Sequence, residues 1–310
     1  MAEMHGSGEA RTGALSGVAF FMGERRLAWR PSPLLMGVVN VTPDSFSDGG
    51  RFLETDAAVR HALHLVEDGA DLIDVGGESS RPGAQAVPLD EELRRVVPVL
   101  RELRPRVGVP ISIDTTKAEV ARRALDLGAD IVNDISGLRF DAGMLPLLAE
   151  TRCGVVLMHM LGVPRNMQAK PHYDDVVRDV GRWLARRLEE VSAAGIAPER
   201  ILLDPGIGFG KRFSDNLALL RRLDRLRIAG RPLLVGASRK TFLGWLLDEP
   251  DPARRLEGDL AVAAFCRSAG VEIVRVHDVR ATRRVFRVLD ALDGNAPADP
   301  SLDPTPPDGR

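Results

Sequence analysis

The chain has few cysteines, no long apolar run and no excess of either charge, and each shortage removes a class of protein. Its two cysteines, Cys153 and Cys266, lie in apolar stretches without CxxC or metal-ligand spacing. Neither a disulfide framework nor a zinc site is expected, and both thiols read as buried and reduced. No run approaches the ~18 apolar residues of a membrane span, and the opening MAEMHGSGEARTGALSG lacks the apolar core of a secretory signal. A cytoplasmic protein without a membrane partner is expected. Lys and Arg number 42 against 44 Asp and Glu, a formal net charge of -2, which leaves no global field for nucleic acid. Any anion site has to be local. Aromatics are only 5% of the 310 residues, but hydrophobic residues are 44%, enough for one large core.

Residues 1–16 read as a flexible N-terminus. Residues 294–310, GNAPADPSLDPTPPDGR, hold Pro, Asp and Gly with hardly a large apolar side chain, so a disordered tail is expected. Between them, over 17–293, short apolar runs alternate with segments of helical period. Eight strands are predicted: Leu34–Asn40, Asp71–Val75, Ile111–Asp114, Asp130–Asn133, Val155–His159, Ile201–Asp204, Leu233–Gly236 and Glu272–Val276. Apolar nearly throughout, they suit strands buried on both faces. The intervening segments carry single apolar stripes, such as Val59, Ala62, Leu63 and Val66. Thr116 and Glu119 have capping-box spacing, and Gly69 and Gly128 stand where two helices should end. A weak repeat supports the alternation: Gly69-Ala-Asp-Leu-Ile-Asp74, Gly128-Ala-Asp-Ile-Val-Asn133 and Gly270-Val-Glu-Ile-Val-Arg275. Eight such units favour a single-domain (β/α)8 TIM barrel over an open doubly wound sheet. A hairpin around Met22-Gly23-Glu24, between Val18–Phe21 and Arg26–Trp29, is placed to plug the barrel's amino-terminal end.

Polar residues close most strands, at or just beyond their carboxyl ends: Asn40, Asp114, Asn133, His159, Asp204 and Ser238. A barrel gathers these ends at one mouth. After the first strand, the polar loop Asn40–Gly50 carries Phe46, an aromatic suited to a lid over a flat substrate. After the second, Gly76–Gly83 supplies Ser80, Arg81 and Pro82, consistent with an anion-binding nest or a tight turn. Asp114, Asn133 and Asp204 need donors, which the N–H edge of a guanidine-like heterocycle would provide. A divalent metal held by two aspartates ranks lower, since no histidine lies nearby in sequence. Asp204–Lys211 has phosphate-loop glycines without the Walker spacing, because Arg212 follows Lys211; the glycines suit close approach to a planar ring lined by Phe209. The loops after the last two strands, where this fold recurrently binds phosphate, bring Lys240, Arg275 and His277 together as a basic corner for a diphosphate. Singly, Arg275 or His277 would read as an ion pair with Asp278.

Eight stretches in order resemble the dihydropteroate synthase family: GVVNVTPDSFSDGG at 37–50, DVGGESSRPGA at 74–84, SIDTTK at 112–117, IVNDISG at 131–137, MHM at 158–160, LLDPGIGFGK at 202–211, GASRK at 236–240 and RVHDV at 275–279. The likeness runs from about Pro33 to Leu292. It implies condensation of (7,8-dihydropterin-6-yl)methyl diphosphate with 4-aminobenzoate, with Mg2+, in a sulfonamide-sensitive step of folate synthesis, by a homodimer. By resemblance, Asp114, Asn133, Asp204, Lys240, Phe209 and Met158 would hold the pterin ring, with Arg275 stacked on it. Asn40, Ser80, Arg275 and His277 would hold the diphosphate, with Asn40 also a magnesium ligand. Phe46, Arg81, Pro82, Lys240 and Thr241 would surround the aminobenzoate; Asn40, Lys240, Arg275 and His277 would be catalytic. The chain departs from the usual pattern at Ser80, where Thr is commoner, at Thr241, where Ser is frequent, and at Leu161, where Gln often follows MHM. The first two keep their hydroxyl. A pterin-binding paralogue without activity and a pterin-dependent methyltransferase are the alternatives; intact Asn40, Ser80, Arg81, Lys240, Arg275 and His277 speak against the first, and the diphosphate corner against the second.

Overall fold

The computed structural model describes residues 19–41 and 51–295. Phe46, the expected flexible N-terminus and all but the first two residues of the expected tail lie outside the described residues. A two-stranded hairpin, β1 (Phe21–Met22) and β2 (Arg25–Arg26), precedes eight parallel strands. These are β3 (Leu34–Asn40), β4 (Leu72–Gly76), β5 (Ile111–Asp114), β6 (Ile131–Asp134), β7 (Gly154–Met158), β8 (Ile201–Asp204), β9 (Leu234–Val235) and β10 (Ile273–Val276). The order is β8-β7-β6-β5-β4-β3-β10-β9, and a parallel bridge from Leu203 to Leu233 joins the ends into a barrel. All eight predicted strands are present, three with the expected bounds and the others within about a residue or two.

Nine helices are found among the described residues: α1 (Arg51–Glu67), α2 (Leu89–Leu103), α3 (Ala118–Asp126), α4 (Met144–Glu150), α5 (Val176–Ala193), α6 (Phe213–Arg221), α7 (Thr241–Leu247), α8 (Leu256–Ser268) and α9 (Val279–Leu292). Gly69 and Gly128 take φ +99° and +90° just past α1 and α3, as expected of left-handed helix stops. The Thr116 cap does not form. Lys117 is the N-cap residue of α3 without a side-chain cap, and Asp141 accepts from the Ala118 N–H at 2.8 Å instead. A carboxylate distant in sequence thus caps the first turn, where a local hydroxyl was expected.

Along each strand, one parity packs outward on the helices and the other fills the barrel. Outward Leu35, Val39, Ile73, Val75, Ile113, Val132, Leu157 and Leu203 belong to the main core. Inward Leu34, Met36, Leu72, Ile131, Val156, Leu202, Leu234 and Ile273 form a separate apolar layer with Phe20, Met22 and Leu27 of the hairpin segment. The hairpin strands are shorter than predicted but do plug this end. Gly154 makes room: a Cβ there would lie 2.6 Å from the Phe20 ring.

The internal repeat is a device of this closed end, used three times. Asp71, Asp130 and Glu272 each accept an N–H at or beside the start of a neighbouring strand, from Leu35, Ile111 and Leu233, at 2.8 Å in every case. Each carboxylate pairs with an arginine: Arg283, Arg104 and Arg227. The same arginines bond to the carbonyls of Gly69, Gly128 and Gly270. Strand starts, otherwise left with unpaired donors, are satisfied this way.

Candidate active site

Three residues beyond each of those acids, the chain emerges at the opposite end of the barrel, and the inward parity turns polar. Asp74, Asn133 and Arg275, the last residues of the three repeats, meet there. Asp74 Oδ2 accepts from Arg275 Nε at 2.6 Å and from Asn133 Nδ2 at 3.0 Å. Arg275 Nη2 also bonds to Asp114 Oδ2 at 3.0 Å. The guanidinium therefore spans two carboxylates with its planar fork, and the alternative reading of Arg275 as an ion pair with Asp278 does not hold; Asp278 binds Arg239.

Three buried polar atoms in this layer have no partner: Asp74 Oδ1, Ser112 Oγ and Asn133 Oδ1. Two are acceptors, and such atoms are costly to leave unmade. Burial raises the Asp114 pKa to about 7 and that of Asp204 to about 6, partly offset by Arg275 for Asp114 and by the Gly206 N–H for Asp204. These carboxyls wait for donors.

Lys240, the N-cap residue of α7, holds its ammonium 3.7 Å from the centre of the Phe209 ring. Burial lowers its pKa to about 7 against the pull of Asp204. Gly208, at φ +82°, lets the lysine stem pass, since a Cβ would sit 2.9 Å from Lys240 Cδ. Phe209 belongs to a small apolar cluster with Ile135, Met158, Met160 and Met167, which forms one wall of the mouth. Lys211 is buried nearby, with its ammonium 3.0 Å from both His159 Nδ1 and the Phe209 carbonyl oxygen. It fixes the loop that carries Phe209.

His277 lies among four cations. Burial first, then Arg239, Arg275, Arg81 and Lys240, push its pKa well below the ordinary histidine value. These four cations oppose protonation of the ring in the free protein, and the nearest of them in effect, Arg239, is itself paired with Asp278. Asn40, at the tip of β3, is half-buried, as is Ser80 after β4, while Arg81, Pro82 and Thr241 are exposed. The Gly83 N–H bonds to the Pro164 carbonyl at 3.1 Å, tying the loop after β4 to the loop after β7.

Asp114, Asn133, Asp204, Lys240, Arg275 and His277 thus surround one cavity mouth, with an acceptor-rich floor, an apolar wall and a cationic corner. The sequence matches the family described as pterin binding enzyme over residues 36–277. It is 49% identical to the dihydropteroate synthase of Escherichia coli over 259 residues, 84% of this chain and 91% of that protein. The chain belongs to the dihydropteroate synthase family. Among solved structures, Xanthomonas albilineans dihydropteroate synthase with 4-aminobenzoic acid is similar at a TM-score of 0.80 and 48% identity, over 84% of this chain and 93% of that one. The same enzyme in complex with 7,8-dihydropteroate gives 0.79 and 44%, over 88% and 98%.

Within this dihydropteroate synthase frame, Asp74, Ser112, Arg239 and Lys211 join the mouth without having been singled out from the sequence. Strand parity contains the signal for two of them. Asp74 and Ser112 lie two residues before the inward Gly76 and Asp114, so they point into the same cavity. Lys211 and Arg239 are placed by loop conformation, with Arg239 at φ +61°, and neither has a periodic signal.

Proposed function

We propose that this chain joins (7,8-dihydropterin-6-yl)methyl diphosphate to 4-aminobenzoate, forming 7,8-dihydropteroate and releasing pyrophosphate. One observation carries the reading: unpaired acceptors on Asp74 and Asn133 lie beside a cationic corner, in the interior of one barrel mouth. A pterin offers adjacent N–H donors for the acceptors, and its flat ring suits the wall of Phe209 and Met158. The diphosphate suits Arg275, Lys240 and His277, with Ser80 and Asn40 at the edge. Exposed Arg81, Pro82 and Thr241 are left for the aminobenzoate, together with Phe46 from its loop.

In this reading the C–O bond to the methylene breaks first, and its electron pair leaves with pyrophosphate. The positive charge left on carbon spreads into the electron-rich dihydropterin. Arg275 gives up part of its pairing with Asp74 and Asp114 to meet the leaving group, while the pterin N–H groups take over those carboxylates. Charge stabilisation of this preorganised kind typically contributes several kcal/mol. The neutral amine then attacks, and its proton is lost to pyrophosphate or solvent.

Among the described residues no three His, Cys, Asp or Glu side chains gather as a metal site. Magnesium commonly keeps its waters and takes few protein ligands beside substrate phosphates. Asn40 fits as one oxygen donor to an ion that arrives on the diphosphate, where it would neutralise charge. We place the reaction in the cytoplasm, where Cys153 and Cys266, both free and buried, stay reduced. Exposed Trp245, Phe265, Val288 and Leu292 on α7, α8 and α9 support a homodimer through barrel helices, which sedimentation would test. The decisive assay follows pyrophosphate and dihydropteroate from both substrates with magnesium. Release that tracks product supports the assignment, and turnover that is independent of 4-aminobenzoate refutes it.

A further inference from the structure

We propose that Asp259 and Ser238 are positioning residues that set the tautomer of His277, and that a diphosphate entering the mouth makes this ring take up one proton. The second half rests on the diphosphate reading above. A single proton decides the tautomer. The Ser238 hydroxyl has one to give, and the Asp259 carboxylate oxygen 2.6 Å away can only accept it. The Ser238 oxygen is left as an acceptor for His277 Nδ1 at 3.0 Å. The ring proton therefore sits on Nδ1, and Nε2 carries a lone pair.

Asp259 is suited to remain ionised. Burial raises its pKa, but it lies in the first turn of α8, and its other oxygen accepts the Arg239 N–H at 2.7 Å. The same carboxylate holds a strained turn: Arg239 is a non-glycine at φ +61°, with its N–H tied to Asp259 and its carbonyl bonded to Arg255 at 2.9 Å. One side chain thus fixes both the turn that leads to Lys240 and the proton position on His277.

A lone pair on Nε2 is a poor partner for a phosphate oxygen. In the free protein Arg81, Arg239, Arg275 and Lys240 oppose any second proton on the ring. The nearby carboxylates do not help, since Asp259 is committed to Ser238 and Arg239, and Asp278 to Arg239 at 3.1 and 3.2 Å. A diphosphate reverses the sign of that field. Nε2 then binds a proton from solvent, and the imidazolium donates through Nδ1 to Ser238 and through Nε2 to phosphate. Only one N–H bond forms, and the proton departs with pyrophosphate or returns to solvent.

The test is 15N NMR of the histidine rings in the full chain, with His277 assigned by His277→Gln and inorganic pyrophosphate plus magnesium as the probe. The parent should show the Nδ1–H tautomer alone and a doubly protonated ring with pyrophosphate. In Asp259→Asn, the amide Nδ2 can donate to Ser238 while Oδ1 keeps the Arg239 N–H, so the hydroxyl turns to the ring and the proton moves to Nε2. Ser238→Ala, a second route should that variant fold poorly, should leave a mixture of tautomers. An Nε2–H ring in the free parent, an unchanged ring in both variants, or a neutral ring with pyrophosphate bound overturns the proposal. Failure of pyrophosphate to bind a parent with the stated tautomer overturns the diphosphate reading and the proton uptake with it, and leaves the tautomer assignment standing.

Discussion

Replacing Asp74 with asparagine tests the floor of the mouth, because it changes one atom's hydrogen-bonding sense and almost no volume. Asp74 Oδ2 serves both Arg275 and Asn133, and an asparagine Oδ1 at that position keeps both bonds. The amide nitrogen then replaces Oδ1, the unpaired acceptor, and turns it into a donor. A pterin N–H meeting that donor loses a charge-assisted bond worth roughly 1.5–3 kcal/mol, or about 10–150-fold in affinity. The fold should lose less. Arg275 keeps Asp114 at 3.0 Å, and removing the neighbouring Asp74 charge eases ionisation of Asp114. Calorimetric titration of the pterin diphosphate into parent and Asp74→Asn, with urea unfolding alongside, separates the two effects. An affinity within about twofold of the parent in a folded variant would refute the claim that Oδ1 is a ligand acceptor.

Arg275→Lys loses the fork that reaches two carboxylates at 2.6 and 3.0 Å, so pyrophosphate release in steady-state assays should slow about 10²-fold. Burial raises Asp204 from its usual 3.8 to about 6, so the native state holds the extra proton between those values. Its contribution to stability is full below pH ~4 and is lost as pH rises through 6. Asp204→Asn cannot ionise; its urea midpoint should gain on the parent between pH 4.5 and 7.5, and a gap that shrinks counts against the shift. At the closed end, Phe20→Ala should cost about 3–5 kcal/mol in urea unfolding with kcat/KM retained, since the ring packs far from the mouth. Gly154→Ala should cost about 1–3 kcal/mol alone and much less with Phe20→Ala, because its Cβ meets that ring at 2.6 Å; additive costs would contradict the packing.

The alternation of apolar runs and helical stripes made the barrel legible, and the polar strand ends Asp114, Asn133 and Asp204 made much of its mouth legible. Asp74 was in view as the end of a repeat, but in strands that are apolar on both faces its inward direction could be had only by counting parity from a residue such as Gly76 whose own direction the structure supplies. The same repeat also carried a second message at its acids, Asp71, Asp130 and Glu272. Their partners Arg283, Arg104 and Arg227 lie 26 to 212 residues from the acids they serve. No spacing rule reveals such pairs. His277 shows a different limit: its residue type suggested a cation, while its charge depends on Arg81, Arg239, Arg275 and Lys240 arriving from separate loops.

The two ends of the barrel interior treat polarity in opposite ways, and the contrast separates stability from function. At the closed end every strand-start carboxylate of the repeat is matched by an arginine and a backbone N–H. At the mouth, Asp74, Ser112 and Asn133 each keep a buried atom without a partner. Leaving such groups unmade costs about 1–3 kcal/mol apiece, and the layer beneath shows that this barrel can be filled with Leu, Ile and Met. Buried ion pairs replaced by apolar groups of similar volume are often neutral or stabilising by about 1–4 kcal/mol. Combining Asp74→Leu, Asn133→Leu and Arg275→Met with Asp114→Asn should therefore hold or raise the urea midpoint while abolishing pterin binding. A variant that unfolds readily would mean that these residues hold the barrel together, and that the open valences at its mouth are not kept for a ligand.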